Sequence, residues 1–358
     1  MKKRNSHIEL LRLISIVLII VSHYCVHGVG IELIYEMNAG YPRFLLEFLV
    51  LGNLGTILFV LITGYYLIHS KKVQWKKILR LILQVFFYSS ICYIGVLLLG
   101  KEKLDIHTAF QCFLPIAHKE YWFLSCYVVL YFFHPYINRL LTSFKRREYL
   151  ILIGSMFFLF SICSLITDSD YYGNQLIQFI LYYAIGGYLA LYPDTILRVG
   201  KRRYWIMIGC TFIVLFYILL MDPFTLSHPF YKPYSIYLLS RTSPFAILFC
   251  VSFFDLFIEK RPYFSKLINF ISPCILGVYL ISDNRFFKSF LWNSILHTKE
   301  FVFTPYLIPH MIVSVCLIVI VCLWIDWYRL YFLEKPLFSF LDPKIDLLQE
   351  KIENRLLK

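Results

Sequence analysis

Stretches of about 20 mostly apolar residues follow one another along nearly the whole chain, and they limit what it can fold into. Each is long enough to cross a bilayer as a helix. A soluble core could not hide so many of them. Lipid offers the backbone no hydrogen-bond partners, whereas a helix supplies them within one segment. Only 16% of residues are charged and 59% are hydrophobic, against roughly 25% charged in an ordinary soluble domain. The expectation is an all-α polytopic membrane bundle of about ten transmembrane helices.

The spans fall at roughly 8–28, 44–69, 77–99, 119–141, 148–167, 174–192, 204–222, 234–258, 266–284 and 304–333. Basic clusters alternate between the connecting segments. One side holds Lys2, Lys3 and Arg4; Lys71, Lys72, Lys76, Lys77 and Arg80; Lys145, Arg146 and Arg147; Lys201, Arg202 and Arg203; and Lys260, Arg261 and Lys266. The other holds scattered cations such as Arg43, Lys101, Lys103, Lys232 and Lys288. The positive-inside rule puts the first side, with both termini, in the cytoplasm. The net charge of +13 is then topological, and no nucleic-acid partner is expected. A small-residue cleavage site is missing after the first apolar run, so that run reads as a retained span.

Ten cysteines show no CxxC pair, no metal spacing and no disulfide framework. The segments 167–174 and 222–233 read as short, turn-rich outer loops. After the last span, Asp342 is positioned to cap a helix beginning at Pro343, with Ile345, Leu348, Ile352 and Leu356 on one face. The chain therefore divides into a transmembrane domain, 1–335, and a cytoplasmic amphipathic tail, 336–358, lying on the membrane surface.

The first span, RLISIVLIIVSH, carries Arg12 at one end and His23 at the other. Eleven residues make about three turns, so the two side chains share a helix face, about 16 Å apart along the axis. Ser15 lies on that face and Ser22 near it. Such a polar stripe belongs in the bundle interior, because lipid gives it no partners. The bland alternatives are snorkelling by Arg12 and interfacial anchoring by His23.

Arg, ten residues, then His in the first span is also the hallmark of membrane-bound acyltransferase family 3, which O-acetylates bacterial surface glycans. The sequence resembles that family along nearly its whole length and in motif order. LFVLITGYYL (58–67) is similar to its FF-x-x-SGY-like segment, with Thr63 where Ser is usual. EYWFLSCYVVLYFFHPYIN (120–138) looks like its WFL…PxxN helix, and FILYYAIGGYLA (179–190) like its F…GYL segment. LGVYLISDN (276–284) is close to FGIYLIH, with Ser282 and Asp283 where a His is common. Glu334-Lys335-Pro336 matches the usual end of the last span.

The resemblance implies an O-acyltransferase of the bacterial plasma membrane. It would move an acetyl group from cytoplasmic acetyl-coenzyme A to a hydroxyl of a capsule, exopolysaccharide or O-antigen glycan, free or lipid-linked. His23 suits proton transfer from that hydroxyl, either directly or through an acetyl-imidazole. The donor phosphates want cations. Lys77 and Arg80, resembling the family's RxxR element, and Arg12 are the candidates. Tyr121 and Trp122 are positioned to meet the sugar, although an interfacial aromatic belt is as good a reading. No metal cofactor is expected. The rival class is a carrier or flippase of a lipid-linked glycan, for which paired halves or interrupted helices would be the sign; the sequence shows no repeat.

Overall fold

The computed structural model describes residues 5–38, 40–100, 103–167, 174–227 and 234–356. Lys2, Lys3, Arg4, Lys101, Lys232 and most of the two loops read as outer turns lie outside these residues, as do the side chains of Leu348, Ile352 and Leu356 in the tail. Among the described residues there are helices and connecting turns and no strand. Seven helical segments are long and apolar enough to cross a membrane, and Gln175–Leu191 and Lys266–Ser282 are shorter apolar ones. Trp122–Ser143 has spanning length but carries His134, Asn138 and Arg139. Every span drawn from the sequence thus meets a helical segment, in a polytopic helical bundle.

The helices that build the site are α1 (Ser6–His23), α2 (Gly52–Leu67), α3 (Trp75–Leu98), α4 (Trp122–Ser143), α5 (Gln175–Leu191), α6 (Pro244–Ile258), α7 (Ile275–Ser282), α8 (Leu307–Tyr328) and α9 (Lys335–Leu356). Helix α2 is central and packs on both α1 and α5. Its glycines explain how closely. A Cβ on Gly55 would sit 2.3 Å from the Ser15 carbonyl oxygen, and one on Gly64 would sit 2.1 Å from that of Tyr183. From the facing helix, a Cβ on Gly186 would lie 2.2 Å from the Leu61 carbonyl oxygen. Lipid tails are as apolar as leucine, so association inside a bilayer rests on such close backbone contact. Gly64 therefore serves the α2–α5 crossing, whereas Gly52 and Gly55 serve the approach to α1.

Charged groups inside the bundle come paired, as the cost of isolating them in lipid requires. Arg43 meets Glu47 at 3.1 Å, and Ser235 donates to the same carboxylate. Arg203 pairs with Asp255 and Glu259. Asp326 accepts from Arg329, Gln84 and Tyr88 at 2.7–3.0 Å, while Arg329 also reaches Glu334. All ten cysteines are free thiols.

The start of the tail helix differs from its sequence reading. Helix α9 starts at Lys335 and runs through Pro343, joined to α8 by a π-helical turn, Arg329–Glu334. Asp342 does not cap it. Instead Asp342 reaches Arg80 at 2.7 Å and Asp346 reaches Lys76 at 2.6 Å, tying α9 to the start of α3. Two cross-helix ion pairs replace the cap that the Asp-Pro dipeptide suggested.

Candidate active site

Helix α1 turns one face to a cavity of about 560 Å³. Arg12, Ile16, Ile19, His23 and Val26 line it, at spacings of 4, 3, 4 and 3 residues, so a single helical stripe runs its length. Ser22 and His27 also reach it. The opposite wall comes from Asn53, Thr56, Phe59 and Thr63 of α2, Lys77 and Leu81 of α3, Trp122, Phe123 and Tyr127 of α4, and Tyr279 of α7. The size falls within the usual range for a ligand site, and the lining is mostly apolar with a few polar groups.

At one end stands Arg12, about one-third exposed and paired with Glu9 one turn before it at 3.0 Å. Lys77 lines the same cavity. Arg80 does not. It faces α9, held by Asp342 and lying 4.6 Å over the Phe338 ring. The two cations expected to act together are therefore divided between the cavity and the tail. Ser15, expected on the polar stripe, donates to the Leu11 carbonyl and lies beneath Gly55 of α2.

At the other end, α1 widens into a π-helical segment, Tyr24–Gly30, a distortion frequent at functional positions. Gly28 fits there because a Cβ would press on Thr298 and Trp292, and Gly30 takes φ +97°, open to glycine without cost. The Tyr24 hydroxyl meets His310 Nδ1 at 2.9 Å, which fixes the segment against α8. His23 projects beside His27, with ring centroids 4.9 Å apart, and within 6.3 Å of the Tyr279 ring. Its Nδ1 is buried without a hydrogen-bond partner among the described residues. His27 Nε2 lies 3.4 Å from Asp283 Oδ1, and Lys288 reaches that oxygen at 3.8 Å. Glu120 and Arg285 form a further pair at 3.1 Å.

Trp122 lines the cavity with the Arg241 guanidinium 5.4 Å from its ring. Tyr121 is buried out of it. Its hydroxyl donates to the Leu280 carbonyl and accepts from Asn284, bracing the turn that carries Asp283.

The cavity thus carries Arg12 and Lys77 as well as His23, with a mostly apolar lining between them. A family profile describing an acyltransferase domain, acyltransferase family 3, matches residues 5–327. The chain belongs to that family. It is accordingly a membrane acyltransferase. No curated protein and no solved structure matches it.

His27 and Asp283 were missed by the sequence reading. His27 stands four residues after His23, a spacing that alone puts both imidazoles on one face. Asp283 occupies a position where the family commonly has a His, so the substitution was visible; its proximity to the first span was not.

Proposed function

We propose that this acyltransferase moves an acetyl group from acetyl-coenzyme A to a hydroxyl of an exported or surface polysaccharide, in the plasma membrane and with both termini cytoplasmic. The observation that carries this reading is the single cavity shared by Arg12, Lys77, His23 and Trp122. The donor phosphates meet Arg12 and Lys77, and they gain Arg80 where they displace Asp342 from it. The extended pantetheine arm lies along the apolar wall and brings the thioester to His23. The acceptor arrives from the opposite end, its sugar face against Trp122, while Tyr121 holds the neighbouring turn.

Neutral His23 takes the hydroxyl proton as the oxygen attacks the thioester carbonyl. The carbon–sulfur bond breaks, and the imidazolium returns its proton to the departing thiolate. The products are the acetyl ester and coenzyme A, with the histidine regenerated. The mostly apolar lining of the cavity limits hydrolysis of the thioester during this step.

The test is transfer by purified protein. Labelled acetyl-coenzyme A and a capsule, exopolysaccharide or O-antigen acceptor should yield an alkali-labile acetyl ester on the glycan and free coenzyme A. Movement of lipid-linked glycan across proteoliposomes with no donor consumption would favour the carrier reading instead.

A further inference from the structure

We propose that His23, His27 and Asp283 form a binding site for a zinc-class divalent cation, which captures the His23 imidazole and holds acyl transfer off. The binding claim stands on geometry; the inhibitory consequence rests on the role given to His23 above.

Each of the three residues offers one ligand atom, and these atoms all lie within 4.8 Å of one another. Adjacent ligands on a tetrahedral zinc, bound at about 2.0–2.1 Å, sit about 3.4 Å apart. The His27–Asp283 pair already has that spacing, at 3.4 Å. His23 has to approach them by a small ring movement, and its buried Nδ1 gives up no hydrogen bond of its own.

Two imidazoles and one carboxylate suit zinc, cobalt(II) and their neighbours better than calcium or magnesium, which prefer all-oxygen sites. Three protein ligands leave a fourth position open. The sequence shows no metal spacing because the carboxylate comes from the end of α7, far along the chain from the two histidines of the first span.

Lys288 is the competitor. It lies 3.8 Å from the same Asp283 oxygen, so a cation must take the carboxylate from it. The occupancy of the site is therefore set by Lys288 as well as by the ligands, and zinc bound here removes the lone pair that acyl transfer would use.

The test uses full-length protein in detergent micelles, titrated with zinc alone and with cobalt(II) alone. Native protein should bind one equivalent, with the visible absorption of a low-coordinate cobalt(II) centre and a rise in melting temperature. Asp283→Asn and His27→Gln, near-isosteric changes, should each weaken binding at least about 100-fold, since even the loss of an outer-shell partner weakens metal sites 10–100-fold. Their melting temperatures without metal should stay native, which separates ligand loss from unfolding. Lys288→Gln should tighten binding about fivefold. Failure of native protein to bind, or equal binding by the native and both ligand variants, would overturn the site. Zinc should inhibit acetyl transfer by native protein at the concentrations that fill the site; unimpeded transfer with the site filled would overturn the inhibitory role. Transfer persisting in metal-free His23→Ala would instead sink the base assignment and leave the binding result to stand by itself.

Discussion

The two ends of the cavity treat charge differently. At the Arg12 end, cations face carboxylates: Arg12 meets Glu9, while nearby Lys76 and Arg80 meet the tail residues Asp346 and Asp342. At the His23 end, a buried imidazole nitrogen has no partner among the described residues, and the Asp283 carboxylate is shared between His27 and Lys288. The Lys76–Asp346 and Arg80–Asp342 pairs are partly exposed and worth about 0–1 kcal/mol each, so an incoming phosphate can replace those carboxylates at little cost, whereas Glu9 is buried beside Arg12. A buried nitrogen left unbonded calls for an explanation, and acting on a ligand or substrate is one. On the proposed function, the difference teaches that binding and reaction sit at separate stations along α1: exchangeable partners at one, an unpartnered imidazole nitrogen at the other.

The largest effect should come from the unpartnered end. His23→Ala is expected to reduce acetyl transfer by about 10³-fold, the middle of the range for loss of a general base. Labelled acetyl recovered on the glycan is the measurement, and a loss smaller than tenfold would break the distinction between the ends. Lys77→Glu should act on the other end and weaken donor binding about tenfold, the cost of one charge-assisted contact. Equilibrium binding of acetyl-coenzyme A checks it; unchanged affinity would make Lys77 a topogenic charge only.

Much of this architecture was readable from the chain. The apolar runs marked helical segments because span length and backbone satisfaction leave few alternatives. Arg12 and His23 fell on one face by helical arithmetic, and they do line one cavity. What was not readable depends on helices meeting. The Lys77–Arg80 pair reads as one patch, yet α9 captures Arg80, because a carboxylate far along the chain folds back onto α3. Asp342 reads as a cap because Pro follows it; tertiary ion pairing overrode that local preference. Thr63, Gly64 and Tyr65 read as letting the second helix approach the first closely; the bundle instead sets Gly64 against Tyr183 of α5. His27 and Asp283 become a pair only when α7 reaches the first span.

Smaller effects sharpen the comparison. Trp122→Ala should raise the acceptor KM about fivefold and leave donor affinity alone, since stacking on a ring face is worth a kcal/mol or so. A matching loss of donor affinity would place Trp122 at the wrong station. The smallest change expected is from Asp342→Asn combined with Asp346→Asn. Freeing Arg80 and Lys76 should tighten donor binding by about two- to threefold, within the worth of exposed pairs. No change would make those pairs anchors for α9 alone.

The separation of stations is tested most directly by titrating acetyl-coenzyme A into His23→Ala and Arg12→Gln side by side. His23→Ala should bind the donor within about twofold of native protein, because the imidazole acts on the transition state and not on the phosphates. Arg12→Gln should bind it at least about fivefold more weakly, from loss of one cationic contact. The reverse pattern, with donor affinity lost in His23→Ala and kept in Arg12→Gln, would contradict the division of labour along α1.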